Sequence, residues 1–319
     1  MENIDQYVAS YLGGNRLRSF AQRPTTVSRG GLLMLWDDSV VRISDVHITE
    51  FCLSAMVNVI HSDTPFKITS VYGPTASNRK DDFFSELIAQ KPINGTKWIV
   101  MGDFNQIYRA RDKNNRNINR SRLNRFRATL DSCDLKEIHL QNRRFTWSNE
   151  RQNPTLCKLD SVFCNADWDM HFDSHVLHAI SSSLSDHCPL LLADDRGPKR
   201  PRCFRFENFW SCIPGFFDTV SKAWEEPCAH TEPYQRLFHK LKQTGRHLSK
   251  WSNRLFSKAK LHLHAALLVI LRLDIAQETR VLSLGERDLR ARLKRRVVSL
   301  AAVERARKKQ CARIANIKE

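Results

Sequence analysis

The sequence predicts an α/β domain followed by an all-helical, basic tail, and three observations lead to this division. Residues 31–192 contain short apolar or β-branched runs of strand length, each ended by Asp, Gly or Pro. Beyond residue 196, leucines recur instead at a period near 3.5 residues, which is typical of helices that bury one face. The net charge of +17 also belongs entirely to this second part. The two parts are therefore expected to be different physical objects.

Five runs of the first part are predicted to be strands buried on one or both faces. They are Gly31–Trp36, Phe66–Tyr72, Lys97–Met101, Lys158–Phe163 and Cys188–Leu192. Apolar residues at helical spacing predict one helix over Asn78–Lys91 and a second over Ser121–Asp131. Strands and helices thus share the segment, which indicates the α/β class.

The segment Asp194–Pro201 contains turn-forming residues and two prolines, which predicts a linker. We therefore expect one domain over residues 1–195 and a basic helical region over residues 196–319. Within that region Pro214–Trp224 and then Pro233–Lys318 are predicted to be helical. The leucine period predicts a long amphipathic helix or a helical hairpin.

The distribution of charge indicates the partner of the tail. Residues 196–319 contain 28 of the 51 Lys and Arg but 11 of the 34 Asp and Glu, which leaves 23 of each sign in residues 1–195. Such a surplus suits a polyanion such as nucleic acid. A solvated helical surface is the alternative, and the sequence does not separate binding of RNA, binding of DNA and pairing with another helix.

Several classes of protein are excluded. Nothing at the N-terminus resembles a signal peptide, and no run approaches the roughly 18 apolar residues that a membrane span needs. The nine cysteines are odd in number and form no C-x-x-C pair, so neither a zinc site nor a disulfide framework is indicated. We expect a reduced, intracellular protein of the nucleus or cytoplasm with no membrane partner.

Four short elements follow apolar strands in a fixed order: Val71–Pro74, Gly102–Asn105, Leu159–Asp160 and Ser185–His187. Each is weak alone, since a Gly-Asp pair at a strand end is usually a turn and a lone Asp-His pair is usually chance. Together they resemble the endonuclease/exonuclease/phosphatase superfamily, which includes deoxyribonuclease I and the apurinic-site endonucleases. This resemblance implies a two-sheet α/β sandwich of the deoxyribonuclease I-like type.

Hydrolysis of a phosphodiester requires a positioned water, a base that deprotonates it, and positive charge on the developing phosphorane. The resemblance implies that Asp103 orients and deprotonates the water and that Asn105 helps to hold the phosphate and this water. It implies that Tyr72 donates a hydrogen bond to a phosphate oxygen. A half-buried strand aromatic is the alternative for Tyr72.

The resemblance also implies that His187 contacts the scissile phosphate and that Asp160 holds its ring in orientation. It further implies that Asp186 lies on the metal side of the site; carboxylate oxygens are ligands that Mg²⁺ or Mn²⁺ prefers. The alternative for Asp160 is a surface charge that ends a strand.

Longer strings resemble the nuclease of plant LINE-type (non-LTR) retrotransposons. They are Arg29–Trp36, Asp112–Asn115, Arg143–Asn149, Asn153–Leu156, Lys158–Asp160 and Asp167–Trp168. Phe204–Trp210 and Leu273–Arg280 resemble the segment that joins this nuclease to the reverse transcriptase. Ser161 departs from the pattern, because these nucleases commonly have Arg at this position.

The larger departure lies at the front of the chain. The family domain begins with a strand that carries an Asn and another that carries Gln-Glu-Thr, whose Glu is the principal metal ligand. Neither precedes Gly31, and neither Glu2 nor Asp5 is expected to replace the Glu. Gln277–Thr279 repeats the same letters, but within the leucine-periodic region. The resemblance thus predicts an N-terminally truncated domain with an unpaired sheet edge, weakened metal binding and reduced or lost activity.

A concentrated basic segment, Arg109–Arg127, lies between the second and third of the four elements and contains a single acid, Asp112. Its proposed DNA-contacting residues are Arg109, Arg111, Lys113, Arg116, Arg120, Arg122 and Arg125. Contacts with the phosphate backbone are expected, with a solvated helix face as the alternative. Trp147 is predicted to pack in the core and not against DNA.

These observations predict a truncated, metal-dependent DNA endonuclease of a LINE-type retrotransposon, impaired or inactive. The alternative is a non-catalytic remnant that binds nucleic acid through the basic tail. A phosphoesterase of small phosphates is the third hypothesis, and Phe145–Asn149 and the tail argue against it.

Overall fold

The computed structural model describes residues 4–14, 16–25, 30–62, 64–194, 210–211 and 214–316, without the side chains of 255–260, 303 and 306–316. The chain divides into two compact units. The first unit is Met1–Gly197 together with Ile275–Val281, and the second is Pro198–Asp274 together with Leu282–Glu319. Most of the predicted linker and of the string Phe204–Trp210 lies outside the described residues.

The first unit has twelve strands and four helices among its described residues. The strands are β1 (Ser19–Arg23), β2 (Leu32–Trp36), β3 (Val41–Ile48), β4 (Cys52–Val59), β5 (Phe66–Tyr72), β6 (Lys97–Asp103), β7 (Lys136–Glu137), β8 (Trp147–Ser148), β9 (Leu156–Cys157), β10 (Asp160–Cys164), β11 (His175–Ala179) and β12 (Leu190–Asp194). The helices are α1 (Gln6–Gly13), α2 (Lys80–Ala89), α3 (Arg120–Ser132) and α4 (Ala166–His171). Asp5 accepts a hydrogen bond from the Val8 amide and so caps α1.

Six strands form the central sheet in the order β3-β4-β5-β6-β10-β7. β5 and β6 are parallel and are joined through α2, whereas β10 is antiparallel to β6. β5 and β6 lie inside the sheet with both faces covered, which is why each reads as a near-continuous apolar run.

One face of this sheet packs on α2 and α3. Alternate strand residues such as Val100 and Phe163 contact an aromatic cluster that includes Phe83, Phe104 and Phe126. Each of these rings is almost fully buried, and burial of one such side chain stabilises the fold by about 1.5–3 kcal/mol. This layer supports the loops at the ends of β5 and β6.

The opposite face packs on two two-stranded sheets, β1–β2 and β11–β12. Met34 of β2 lies against Leu53 of β4, and Leu177 of β11 clusters with Ile99 and Val162. The strands therefore form two layers with helices outside, which confirms the predicted α/β class.

The second unit is helical in its described residues and contains α5 (Phe216–Glu225), α6 (Pro233–Gln277) except for its last three residues, and α7 (Leu284–Asn316). The predicted helix over Pro233–Lys318 is thus two helices. Ile270 of α6 packs on Val297 of α7, and Arg290 donates to the buried Asp274 carboxylate at 2.7 Å. Part of the leucine stripe is exposed, including Leu261 and Leu268. None of the described helices is long and apolar enough to cross a membrane.

Candidate active site

Strand register brings three of the predicted site residues to one edge of the central sheet. Tyr72 at the end of β5 is the partner of Asp103 at the end of β6. Asp103 is in turn the partner of Asp160, which begins the antiparallel β10. Three adjacent strands therefore place their polar ends side by side.

Two glycines allow the chain to turn beneath these ends. A Cβ on Gly102, whose φ is +143°, would lie 2.1 Å from the Val71 carbonyl oxygen on the neighbouring strand. A Cβ on Gly73 would lie 2.2 Å from the Phe104 carbonyl oxygen. Only glycine fits either position without a shift of the backbone. The Gly-Pro and Gly-Asp pairs thus have a steric reason.

Asp103 is held by the residue two positions further along the chain. The Asn105 backbone amide donates to Oδ1 of Asp103 at 2.8 Å, and Asn105 Nδ2 donates to Oδ2 at 2.9 Å and to the Gly73 carbonyl at 2.8 Å. Asn105 has a φ of +48°, a conformation that Asn tolerates better than most residues. Both amide hydrogens are thus used within the protein, so Asn105 orients Asp103 and leaves its own Oδ1 for a water.

His187 reaches the same edge from the other side. Its backbone forms an isolated antiparallel β-bridge with Trp147, and its Nδ1 lies 2.8 Å from Oδ2 of Asp160. The hydrogen bond fixes the ring and leaves Nε2 for a substrate oxygen. Tyr72 is half-buried, with its ring against Gly30.

Burial and neighbouring carboxylates shift the pKa values of the site residues. Burial, followed by the charge of Asp160, raises the pKa of Asp103 to about 6. Burial alone would lower the pKa of His187, but the hydrogen bond and charge of Asp160, with the charges of Asp103 and Asp186, raise it above its ordinary value. A base with a pKa near 6 and a readily protonated imidazole suit acid–base chemistry near neutral pH.

The residues around the site form a cluster that suits a cation. Ligand atoms of Asp103, Asp160 and His187 all lie within 4.8 Å of one another. The mutual repulsion of the two carboxylates would be relieved by a divalent ion, so these residues fit such an ion. The predicted ligand Asp186 is not in this cluster; its Oδ2 accepts a hydrogen bond from Trp147 Nε1 at 2.8 Å.

Two supporting residues are not predicted by the sequence. Thr146 is 1% exposed, and its Oγ1 accepts hydrogen bonds from the Leu159 and Asp160 amides, both at 3.0 Å. Lys80 is 3% exposed and donates to the Asn105 carbonyl at 2.7 Å; burial, with the charge of Arg122, lowers its pKa to about 8. Thr146 lies within the string Arg143–Asn149, which resembles the retrotransposon nucleases. No sequence signal distinguishes the buried Lys80 from an exposed lysine.

The Trp147 side chain is partly in the core, as predicted, and partly at the site. Its ring packs partly against a small cluster of Ile107, Leu123 and Cys157, while its indole N–H holds Asp186. The side chain therefore combines core packing with a polar contact at the site.

A second cluster lies at the other end of β10. Ligand atoms of Cys164, Asp169 and His175 are within 4.8 Å of one another. Here Lys136 forms an ion pair with Asp169, and burial raises the pKa of the Cys164 thiol to about 12. His175 Nε2 lies 3.8 Å from Asp169. This cluster has an internal cation and a protonated thiol.

The basic segment is only partly available for DNA. Arg109 forms an ion pair with the buried Glu137 and stacks over Tyr108, and Arg125 forms an ion pair with Asp81 at 2.7 Å. Lys113 donates to the Asn117 carbonyl. Arg111, Arg116 and Arg120 are exposed, and Arg122 is close enough to Lys80 to affect its pKa. Four of the seven predicted residues thus keep an uncommitted charge within the described part of the chain.

The chain belongs to the Endonuclease/Exonuclease/phosphatase family, whose sequence profile matches residues 3–187. Members of this family typically depend on divalent metal ions, and the cluster of Asp103, Asp160 and His187 could hold one. The predicted deoxyribonuclease I-like α/β fold is therefore confirmed.

Several solved structures are similar to this chain. The endonuclease domain of TRAS1, a telomere-specific non-LTR retrotransposon, is 13% identical with a TM-score of 0.44, and the match covers 56% of this chain and 81% of that one. A humanized TDP2 of D. rerio is 12% identical with a TM-score of 0.37, over 59% and 81% of the two chains. A mannosyl-6-phosphatase of Bacteroides thetaiotaomicron is 11% identical with a TM-score of 0.35, over 51% and 71%. No curated protein sequence matches the chain.

Proposed function

We propose that this protein is a metal-dependent endonuclease that cleaves phosphodiester bonds of DNA, that it derives from a LINE-type retrotransposon, and that it cleaves slowly. The observation that carries the activity is the juxtaposition of Asp103, Asp160 and His187 at one sheet edge. The origin is supported by the strings Arg143–Asn149 and Asp112–Asn115, which resemble the nucleases of such elements.

Each residue has a chemical task in this proposal. Asp103, unprotonated above a pH of about 6, accepts the proton of the attacking water while Asn105 keeps its carboxylate in place. His187, whose Nδ1 is held by Asp160, donates from Nε2 to a phosphate oxygen when the ring is protonated, and its raised pKa favours that form. Tyr72 lies beside Asp103 on β5, where its hydroxyl can donate to the same phosphate.

A divalent ion held by Asp103 and Asp160 would supply positive charge to the phosphate oxygens. The predicted ligand Asp186 lies outside this cluster and binds Trp147 Nε1. Among the described residues the cluster contains no glutamate. Two carboxylates that also orient His187 and the water bind a hard cation less tightly than a site with a further acid. We therefore expect a requirement for high Mg²⁺ or Mn²⁺ concentrations.

Conversion of supercoiled plasmid to the nicked form in Mg²⁺ or Mn²⁺ tests this function. The wild-type chain should nick, EDTA should abolish nicking, and His187→Ala should reduce it by about 10²–10³. His171→Ala, in an exposed histidine of α4, is the matched control. Absence of nicking by the folded wild-type chain at any concentration of either ion would refute the enzymatic proposal.

A second candidate function is binding of nucleic acid through the tail, without catalysis. Arg292, Arg295 and Arg296 are exposed on α7, in the part of the chain that carries the whole positive surplus. Substitution of all three by Gln should lower the slope of log K against log salt by about 2–3 for DNA or RNA. An unchanged slope would exclude these residues as phosphate contacts.

A further inference from the structure

A buried carboxylate outside the family's matched segment contacts the loop beside the active site. Glu278 belongs to Ile275–Val281, the segment that forms part of the first unit although it lies far along the chain. Its side chain is 5% exposed. The family profile ends at residue 187, so nothing in that match accounts for this residue.

The partners of Glu278 are mainly backbone groups. The Arg144 amide lies 3.1 Å from both carboxylate oxygens, and the Phe145 amide and Arg143 Nε lie 3.4 and 3.5 Å from Oε1. A carboxylate taken out of water is destabilising unless such donors surround it, and bonds from N–H groups to an ionised acceptor are stronger than neutral ones. The contact therefore restrains the backbone of Arg144 and Phe145, whatever side chains these two residues carry, and the Arg143 guanidinium adds an ion pair.

The next residues along the chain support both halves of the site. Thr146 Oγ1 accepts from the Asp160 amide, and its carbonyl accepts from the Cys188 amide at 2.8 Å. Trp147 forms a backbone β-bridge with His187, and its indole N–H donates a hydrogen bond to the Asp186 carboxylate. A shift of residues 144–145 would move Asp160 and His187, because Thr146 and Trp147 follow directly in the chain and contact them.

We propose that Glu278 is a positioning residue of the active site: it clamps the backbone amides of Arg144 and Phe145 so that Thr146 and Trp147 hold Asp160, Asp186 and His187 in place. The nuclease unit is thereby discontinuous, completed by Ile275–Val281. The catalytic consequence rests on the proposed function, whereas the clamp itself does not. Gln277–Thr279 repeats the letters of the metal-binding element to which the sequence bears a resemblance, and Glu278 contacts backbone amides instead.

The full chain is compared with three variants by hydrogen–deuterium exchange and by plasmid nicking. Glu278→Ala removes the acceptor, Glu278→Gln keeps one carbonyl oxygen for the Arg144 amide, and Glu225→Gln is the control in an exposed glutamate of α5. In Glu278→Ala we expect exchange to accelerate by about tenfold over residues 143–148, with a smaller increase at 159–160. Glu278→Gln should be intermediate and Glu225→Gln unchanged.

For nicking, kcat of Glu278→Ala should fall by about tenfold while KM for plasmid stays within about twofold, and Glu278→Gln should recover part of the loss. Equal exchange over 143–148 in Glu278→Ala and wild type would overturn the clamp. A loss of kcat that follows the fraction unfolded in urea, with no recovery in Glu278→Gln, would overturn the positioning role. If Glu278→Ala does not fold, faster exchange in Glu278→Gln than in Glu225→Gln supports the proposal and equal exchange overturns it.

If the wild-type chain does not nick, the proposed function fails, and the exchange measurement alone still decides whether Glu278 is a clamp.

Discussion

The two ends of strand β10 carry similar residues in different electrostatic settings. At its start, Asp160 faces a second carboxylate, Asp103, and binds His187 at 2.8 Å. At its end, Cys164 and Asp169 face His175, but Lys136 already neutralises Asp169. The comparison teaches that residue types and spacing alone do not make a reactive site. What separates the two ends is a pair of neighbouring carboxylates, Asp103 and Asp160, in a partly buried place where burial and their mutual repulsion raise the pKa of Asp103.

Breaking the aspartate–histidine pair at each end should give the largest contrast. Asp160→Asn leaves the shape but removes the charge that orients and charges His187, so nicking should fall by about 10²–10⁴. Asp169→Asn at the other end should leave the rate within about twofold. Initial nicking rates at saturating Mn²⁺ measure both. Comparable losses in the two variants would mean that the ends of β10 do not differ as described.

The pH dependence of nicking sharpens the same contrast. The base form of Asp103 increases as pH rises through about 6, so the rate should rise by about tenfold between pH 5 and pH 7. Above the raised pKa of His187 the rate should fall again, because the imidazole loses the proton that it donates. The rising limb should be absent from the residual activity of Asp103→Asn. A flat profile in the wild-type chain would remove Asp103 as the base.

Stability should respond in the opposite sense to activity. The pKa of Asp103 is raised from 3.8 to about 6, so the folded state binds this proton more tightly than the unfolded chain. The free energy of unfolding should therefore fall as pH rises from about 4 to 6, and Asp103→Asn should be more stable than wild type by about 1–2 kcal/mol at pH 8. Below pH 4 the difference should vanish.

Asp169→Asn, which breaks a surface ion pair, should cost less than about 1 kcal/mol. Urea titrations of the wild-type chain and both variants at pH 4 and pH 8 make the comparison. If Asp103→Asn were less stable than wild type at pH 8, the charged form of Asp103 would not be destabilising in the folded protein, and the raised pKa would be contradicted.

Strands and helices that show a regular pattern of apolar residues within their own segment could be predicted well. β5 matches the predicted strand over Phe66–Tyr72, and α3 extends the predicted helix by one residue at each end. β3 and β4 had no predicted counterpart. β3 is largely exposed, and a bulge between Ser44 and His47 interrupts its alternation of apolar and polar residues. β4 is buried at five of its eight residues and shows no such alternation.

The sequence predicted that Asp103, Asp160 and His187 belong to one site, and the structure brings these three together, but the residues that support them were not predicted. Thr146, Lys80 and Glu278 are ordinary residues in sequence, and each acquires its task from a partner at least 13 positions away. The ion pairs of the basic segment were not predicted for a related reason. Glu137 and Asp81, distant in sequence, form ion pairs with Arg109 and Arg125.

The sequence by itself determined the order of strand-end acids, the glycines beneath them and the confinement of positive charge to the tail, because these are properties of short segments and of composition. Only the tertiary structure decided that Tyr72, Asp103 and Asp160 stand in register, that His187 meets Asp160, and that Glu278 closes on the Arg144 amide. Strand partnership and the solvation of a single carboxylate depend on surfaces brought together from far along the chain. No local pattern of residues encodes them.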